Sequence, residues 1–201
     1  MGTIPLDPPG GMEWWVGNSP EESRRSLNRG VTASTTQGDP TSSEGDMQTI
    51  TPFLWFEREA GEAAKFYTSV FKNSRINHTV TLADTPSGKV EVISIELLGQ
   101  QFTLLDGGPH FKFNESISFV VQCETQEEID YYWNKLSVDP QAGQCGWLKD
   151  KYGVSWQIVP AVLTTMLRDK DPKKVARVTD AFLKMKKFEI EALKRAYDSG
   201  T

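Results

Sequence analysis

The sequence predicts an α+β fold in which two βαβββ modules form one domain and a helical appendage follows at the C-terminus. Strand-like and helix-like segments alternate from Met47 onward, which is typical of such modules. The pattern also repeats, because EAAKFY at residues 62–67 resembles EEIDYY at residues 127–132, about 65 residues further on. Helical periodicity then continues beyond residue 160. These observations predict two modules side by side, followed by helices.

The first module begins with TITPFLWF at residues 49–56, whose β-branched and aromatic residues favour a strand. A helix is predicted over residues 57–71, because its apolar residues recur at helical spacing. Three further strands are separated by the turn TPSG and by a tight turn at Gly99, and they are predicted at residues 76–83, 90–98 and 101–105.

The second module follows the loop GGPHFKFN at residues 107–114. Its first strand is predicted at residues 116–122, and an amphipathic helix is predicted at residues 126–136. Two more strands complete the module, at residues 146–150 and 155–159.

The appendage, residues 161–201, contains a predicted helix that starts at Asp171 and Pro172, which are typical of an N-cap and a first turn. The apolar residues of this helix form a stripe, which could dock on the domain or on a second subunit, and we expect the stripe to pack on the domain. Its apolar residues are Val175, Val178, Phe182 and Met185.

Residues 1–46 form a leader that differs in composition from the domain at residues 47–160. Half of the leader is Pro, Gly, Ser or Thr, so it cannot bury enough apolar surface to offset its conformational entropy. We predict that it is disordered. The alternative is a binding arm built around Met12, Trp14 and Trp15.

Charge and composition exclude several classes of protein. The net charge of −5 argues against a nucleic-acid partner, because phosphate binding requires a concentrated basic face. No apolar stretch approaches the ~20 residues that cross a bilayer, so no membrane span is expected. The N-terminus lacks a signal-peptide pattern, and two cysteines do not make a disulfide framework. We therefore expect a cytoplasmic protein.

Several long motifs occur in one order from Met47 to about Ala196: ITPFLWF, EAAKFY, FTLLDGGPHFKFN, ISFVVQCETQEEIDYYWNKLS and GQCGWLKDKYGVSWQIVP. With these motifs the chain resembles the PhnB-like branch of the vicinal oxygen chelate superfamily, which has the fold of glyoxalase I, bleomycin-resistance proteins and extradiol dioxygenases. The resemblance implies that each module curves a sheet around a small-molecule cavity, and it commonly implies a homodimer.

Members of this branch are often labelled demethylubiquinone methyltransferases. A methyl donor such as S-adenosylmethionine is usually held by a Gly-rich turn between a parallel strand and a helix. The sequence contains no such unit, and the glycine pair at residues 107–108 precedes a proline and an aromatic run. We do not expect methyl transfer.

The resemblance also implies where a metal would be bound, since metal-dependent relatives place His, Glu or Gln ligands on the first and last strands of each module. The corresponding positions here are Thr51, Thr103, Ser116 and Gln157. Hydroxyls and one amide are weak ligands for a divalent ion. The sequence therefore predicts no metal site and no cofactor, although a divalent metal bound in another strand register remains the alternative.

Strand alternation predicts which side chains face the cavity. Leu54 and Phe56 should pack under the first helix, and Ile117, Phe119 and Val121 under the second. Rings and small polar groups then face the other way, where they would either bind a ligand or fill the interior as core. The candidate ligand-binding residues are Thr51, Phe53, Trp55, Thr103, Ser116, Ser118, Gln122, Trp147 and Gln157.

Few residues offer acid–base or nucleophilic chemistry. His110 could exchange a proton at the cavity mouth and Asp106 could act as a general base, but a backbone-capping histidine and a turn aspartate are the alternatives. His78 is expected to be exposed. Neither Cys123 nor Cys145 has a neighbouring histidine, so both are expected to be packed side chains.

Three functions remain open at this point. The first is a metal-free cavity that binds a small, partly apolar molecule. The second is an enzyme, a lyase, isomerase or dioxygenase, that uses a metal or acid–base chemistry. The third is a dimerisation module whose sheet interior is packed solid. An anionic ligand could be bound through Lys112, Lys149 or Lys151, whose alternative role is solubility.

Overall fold

The structure is a computed structural model of the chain, and it describes residues 49–141 and 143–199. The predicted leader, residues 1–46, lies outside the described residues. Among the described helices, none has the length and apolar character needed to span a bilayer.

The first module contains the predicted strand, helix and three further strands in the predicted order. Its four-stranded sheet has the order β1-β4-β3-β2, with β1 parallel to β4 and β3 antiparallel to β4. Leu98 and Gly99 both have positive φ, 50° and 85°, as a tight hairpin between β3 and β4 requires. The elements are β1 (Phe53–Phe56), α1 (Ala60–Val70), β2 (Arg75–Thr85), β3 (Gly88–Leu97) and β4 (Gln100–Asp106).

The turn between β2 and β3 is closed by a side-chain hydrogen bond. In it the Thr85 hydroxyl donates a hydrogen bond to the Gly88 carbonyl at 2.5 Å. Gly88 has a φ of 80°, which an L side chain rarely adopts.

The second module has three strands, at about the three ranges that the sequence predicted. Its described residues therefore form one strand fewer than the βαβββ module that was expected. The sheet order is β5-β7-β6, with β5 parallel to β7. The N-terminus of its helix is capped by the Thr125 side chain, which accepts from the Glu128 N–H. The elements are β5 (Phe119–Cys123), α2 (Gln126–Leu136), β6 (Trp147–Lys149) and β7 (Ser155–Pro160).

Strand β5 begins at Phe119, three residues later than predicted, and Ile117 is 71% exposed where packing under the helix was expected. The reason is local. The Asn114 side-chain oxygen accepts hydrogen bonds from both the N–H and the hydroxyl of Ser116, at 3.0 and 2.5 Å. Such a side-chain turn competes with ladder pairing, so the alternation predicted for residues 116–118 does not apply.

One apolar core lies between the helices and the covered faces of both sheets. Strand alternation buries Leu54 and Phe56, as predicted. Aromatic contacts join the modules: the rings of Tyr67 and Trp156 lie 5.6 Å apart, and those of Phe71 and Tyr132 stack at 5.3 Å. The two modules therefore share their hydrophobic core.

A buried carboxylate also joins the modules. Asp150 is 3% exposed and accepts hydrogen bonds from four donors. The Tyr67 hydroxyl, on α1, donates at 2.7 Å and the Trp156 indole N–H, on β7, at 2.8 Å. The backbone N–H groups of Tyr152 and Val154 donate at 2.9 and 3.0 Å. Burial raises the pKa of Asp150, although these hydrogen bonds oppose the increase.

The C-terminal appendage consists of three helices that pack on the second module. The Asp171 side chain caps α4 by accepting from the Lys173 N–H at 2.9 Å, and a proline stands in the first turn, as predicted. Val178 is completely buried, and Phe182 and Met185 of the predicted stripe pack against the core. The helices are α3 (Ala161–Leu167), α4 (Pro172–Phe182) and α5 (Ile190–Asp198).

Candidate functional site

Each sheet has one face covered by helices and one face without a helix, which we call its open face. On the first module, strand pairing places Phe53 beside Thr103 and Trp55 beside Leu105 on the open face. Ser94 of β3 is the other neighbour of Thr103. Phe53 is 44% exposed, and Trp55 and Thr103 are half-buried. Three of the predicted ligand-binding residues therefore share one surface.

Trp55 is held in one orientation by the loop that follows β4. Its indole N–H donates to the Gly108 carbonyl at 2.9 Å, and its ring meets the edge of Phe111 at 5.0 Å. A Cβ on Gly107 would lie 2.1 Å from the indole ring. Residue 107 must therefore be glycine for Trp55 to occupy this position.

The open face of the first module also carries five hydrogen-bonded polar side chains, which we call the polar row. The Glu96 carboxylate accepts from Arg75 at 2.6 Å and from Gln101 at 2.8 Å. The Asn77 amide N–H₂ donates to Gln101 at 2.8 Å and to Ser94 at 3.3 Å, and its oxygen accepts from Arg75 at 3.0 Å. Sequence reasoning missed this row, because the register between β2 and β3 cannot be inferred from alternation.

On the second module, the open face brings together Trp147 and Gln157, which are paired across β6 and β7. Gln157 is also the neighbour of Val120, which is 54% exposed. The Gln157 amide N–H₂ donates to the Ser118 hydroxyl at 2.8 Å. Gln122 lies on the same strand face as Val120 and is exposed. Four of the predicted ligand-binding residues thus lie on the open face of this module.

A pocket of about 370 Å³ lies beside Trp147 on the second module, and we call it the Trp147 pocket. Ser155 lines it, is 2% exposed, and has a hydroxyl without a hydrogen-bond partner among the described residues. Sequence reasoning missed Ser155, although its alternation with Gln157 on β7 would have placed it on the open face. The lining residues are Glu115, Val138, Asp139, Gly143, Gln144, Trp147, Leu148, Lys149 and Ser155.

The residues at the positions implied for a metal do not fit a divalent ion. Thr51 precedes β1 and is exposed, and the Ser116 hydroxyl is bonded to Asn114. Thr103 offers a hydroxyl, and Gln157 already donates from its amide to a serine. Such neutral donors compensate poorly for the dehydration of a divalent cation. Nowhere in residues 49–141 and 143–199 do three His, Cys, Asp or Glu side chains group as metal ligands would.

The two acid–base candidates are not hydrogen-bonded to each other. Asp106 ends β4, and its carboxylate accepts from the Ala60 N–H at 2.7 Å, so it caps the N-terminus of α1. Burial raises the pKa of Asp106, the Glu91 and Glu59 carboxylates add to the increase, and the Ala60 hydrogen bond opposes it. His110 is exposed, with its ring edge-on to Trp55 at 6.4 Å.

The remaining polar candidates are placed as follows. His78 is exposed on β2, as expected. Cys123 is fully buried, and burial raises the pKa of its thiol to about 12, so it carries no thiolate at neutral pH. Cys145 is half-buried with its sulfur 3.7 Å from the Phe182 carbonyl. Both cysteines are packed side chains.

The three lysines considered for an anionic ligand are near acidic or aromatic side chains. Lys149 forms an ion pair with Glu115, and Lys151 forms one with Glu62, each at 2.5 Å. Lys112 lines a second, smaller cleft of about 150 Å³ that also contains carboxylates. That cleft is lined by Trp55, Phe56, Glu57, Glu59, Phe111, Lys112, Phe113, Lys151 and Tyr152.

Two modules, each with a helix on one face of its sheet and an open opposite face, form the arrangement that the resemblance to the vicinal oxygen chelate superfamily implies. A family model described as 3-demethylubiquinone-9 3-methyltransferase matches residues 48–159, more than half of the chain. The chain therefore belongs to this family, the PhnB-like branch of the superfamily.

The solved structures of similar proteins include three from bacteria. One from Bacillus cereus is described as a putative 3-demethylubiquinone-9 3-methyltransferase, PhnB protein. It is 37% identical, the match covers 57% of this chain and 100% of the Bacillus cereus chain, and the TM-score is 0.48. Protein PA1353 from Pseudomonas aeruginosa is 18% identical over 57% of this chain and 98% of its own, with a TM-score of 0.46. The fosfomycin resistance protein FosX from Listeria monocytogenes is 14% identical; the match covers 57% of this chain and 90% of FosX, with a TM-score of 0.40. A comparison with curated proteins finds no match.

Proposed function

We propose that this protein binds a small, partly apolar molecule on the open faces of its sheets without a metal ion. The observation that carries the proposal is the chemistry of those faces. They present the rings of Phe53, Trp55 and Trp147 beside hydroxyl and amide groups such as Thr103 and Gln157. Apolar walls with a few polar groups are the usual composition of a small-molecule site.

The protein acts in the cytoplasm in this proposal. Support comes from its two cysteines, which are unpaired, with Cys123 buried and Cys145 half-buried. Unpaired cysteines persist in a reducing compartment.

The test of the proposal is elemental analysis of protein purified without a metal-affinity step, followed by thermal-shift titrations with Mn, Fe, Co, Ni and Zn and with a library of small organic compounds. A ligand that binds the native state raises Tm in a saturable way. We expect no metal-dependent shift, and a shift with at least one organic compound. One tightly retained metal ion per chain would exclude the metal-free cavity.

The protein is a homodimer in this proposal, with the first-module sheet in the interface. Strand β2 is exposed on both of its faces, including Ile76 at 40% and Val80 at 46% exposure. A long edge strand with exposed apolar side chains is a surface that proteins usually cover. Val80→Asp should shift the dimer toward monomer in analytical ultracentrifugation, whereas Leu183→Asp, at a site 54% exposed on the appendage, should not. A wild-type protein that is monomeric at all concentrations contradicts this part.

The methyl transfer that the family description names is not part of the proposal. The two strand-to-helix turns of the described modules are Glu57, Arg58 and Glu59 before α1, and Glu124 and Thr125 before α2. They contain no glycine and carry acidic side chains. A methyl-donor nucleotide is usually held by a glycine-rich turn at this place.

A second candidate function is acid–base catalysis by Asp106. One observation favours it: burial raises the pKa of this carboxyl, which suits a general base at neutral pH. Asp106→Asn keeps an oxygen that can accept from the Ala60 N–H, so the fold should persist. Once a reaction is found, turnover lost in this variant at unchanged Tm supports the enzyme, and full turnover removes this mechanism.

A further inference from the structure

We infer that the Trp147 pocket binds a neutral ring compound that carries one hydroxyl or carbonyl oxygen, and that this oxygen forms a hydrogen bond with Ser155. The inference rests on the proposed function, since it assumes that a small molecule is bound, and it adds a location and a chemical class. Three features of the described residues lead to it: an unpaired buried hydroxyl, the apolar walls of the pocket, and the charge around its mouth.

The Ser155 hydroxyl is the first feature. It is buried, since the residue is only 2% exposed, and it has no hydrogen-bond partner among the described residues. Nearly all buried polar side chains in proteins are hydrogen-bonded, and an exception needs an explanation. Ser155 lines a pocket, so a bound oxygen atom would supply the missing partner.

A second buried hydroxyl, on Ser137, also has no partner in the part of the chain that the structure describes, and it provides a comparison. Ser137 follows the last turn of α2 and is not among the residues that line the Trp147 pocket. The two serines therefore share the same lack of a partner, and they differ in access to the pocket.

The walls of the pocket are the second feature. Apolar surface comes from the Trp147 ring, which is half-buried, and from Val138 and Leu148. A volume of about 370 Å³ lies in the range of small-molecule sites. Trp147 and Ser155 line the same pocket, so one bound ring compound can offer its ring to the indole and its oxygen to the hydroxyl.

Charge is the third feature, and it excludes an anion. The lining contains two carboxylates, Glu115 and Asp139, and one ammonium group, Lys149. Lys149 is already paired with Glu115 at 2.5 Å. A carboxylate or phosphate on the ligand would meet an excess of negative charge, whereas a neutral oxygen would not.

The test compares three probes that share a methylbenzene ring on the full chain: toluene, p-cresol, which adds a hydroxyl, and 4-methylbenzoate, which adds a carboxylate. Dissociation constants come from titrations followed by ¹H–¹⁵N NMR, which also identifies the residues affected. We expect p-cresol to shift the amide signals of residues 138–155 and to bind about ten-fold more tightly than toluene, because only p-cresol can pair with the hydroxyl. The 4-methylbenzoate anion should bind more weakly than p-cresol.

Two matched variants assign the preference to one atom. Ser155→Ala should bind p-cresol and toluene equally, and its Tm should not fall, since the substitution removes an unpaired buried hydroxyl. Ser137→Ala removes the other unpaired hydroxyl and should keep the ten-fold preference.

Other outcomes would overturn the inference and locate the fault. If p-cresol shifts the amides of Phe53, Trp55 and Thr103 instead, the proposed function stands and this pocket is not the site. If Ser155→Ala keeps the preference for p-cresol, the oxygen contact is wrong. If p-cresol does not bind up to its solubility limit while another organic compound raises Tm, the ligand class is wrong. If p-cresol does not bind and no organic compound raises Tm, the proposed function also fails.

Discussion

The open faces of the two modules differ in how completely their polar groups are paired. On the first module the polar row joins Arg75, Asn77, Glu96 and two other side chains in hydrogen bonds, so these five side chains are paired without a ligand. On the second module the Ser155 hydroxyl is buried at the side of a pocket and has no hydrogen-bond partner within residues 49–141 and 143–199. The two modules, whose sequence patterns are similar, thus differ: the first has a paired polar row, and the second has a buried hydroxyl with no partner among the described residues.

The difference has a topological cause. Strand β2 of the first module supplies Arg75 and Asn77, which satisfy groups on β3 and β4. Where the first module has β2, the chain of the second module passes from α2 through residues 137–146, and no strand is assigned to the described residues there. Strand β6 is therefore an edge, and the Trp147 pocket lies beside it. The second module thus has room beside β6, and its described residues offer no hydrogen-bond partner to the Ser155 hydroxyl.

The largest predicted effect comes from Asp150, which joins the modules. Asp150→Asn replaces one of two accepting oxygens by a donor, so at least two of the four donors lose their acceptor. Each buried donor left unpaired costs roughly 1–3 kcal/mol, and we expect a loss of about 3 kcal/mol in the free energy of unfolding. Urea denaturation measures it.

An exposed carboxylate provides the control for that experiment. Asp180 forms an ion pair with Lys184 in which both side chains are 71% exposed. Asp180→Asn should therefore change the free energy of unfolding by less than about 1 kcal/mol. If Asp150→Asn is equally mild, the carboxylate does not hold the modules together, and the aromatic contacts carry that role alone.

An intermediate effect is expected from two glycines, each packed against a tryptophan. A Cβ on Gly107 would lie 2.1 Å from the Trp55 ring, and one on Gly143 would lie 2.5 Å from the Trp133 ring and 2.7 Å from the Trp147 carbonyl. Each alanine substitution should cost about 1–3 kcal/mol by overpacking. Thermal denaturation followed by circular dichroism measures the loss.

The two glycine variants should differ in binding, which sharpens the comparison of the modules. Gly143→Ala moves the wall of the Trp147 pocket and should weaken p-cresol binding, whereas Gly107→Ala disturbs only the first module and should not. Equal weakening in both variants would indicate that the ligand contacts both open faces.

The smallest predicted effect is a pH dependence at the contact between α2 and the appendage. The Asp130 carboxylate pairs with Lys187 at 2.5 Å, and this hydrogen bond lowers the pKa of Asp130 below its ordinary value. A lowered pKa stabilises the folded state above the unfolded pKa, near 4, and this contribution disappears as the pH falls through the folded value.

The measurement compares wild type with Asp130→Asn. Both side chains are partly exposed, so the difference in the free energy of unfolding at pH 7 should be below about 1 kcal/mol. It should vanish when the pH falls below the lowered pKa. A difference that stays constant with pH would mean that the ion pair contributes nothing and that packing alone explains it.

Much of the fold could be predicted from the sequence, but its boundaries could not. The strand at residues 49–56 shortened to Phe53–Phe56, and α1 begins at Ala60 rather than at residue 57. The cap of α1 comes from Asp106, which is 46 residues away, and no local pattern can indicate a cap from another strand. The start of β5 moved because of the Asn114 side chain, which is a local effect but one that alternation does not record.

The candidate site was predictable where it depended on alternation. Phe53, Trp55, Trp147 and Gln157 lie on open faces, because a strand directs successive side chains to opposite sides whatever its neighbours are. The pairing of those residues with others was not predictable. Whether a hydroxyl such as that of Ser155 finds a partner depends on which strand lies beside it.

The sequence by itself determined the α+β class, the repeated modules, the appendage and the family, because periodicity, turn residues and long motifs are local properties of the chain. Only the tertiary structure decided which polar groups are paired. The four donors on Asp150, the polar row and the unpaired Ser155 each depend on residues brought together from distant segments. Hydrogen bonds act over about 3 Å, so their presence is decided by packing and not by sequence distance.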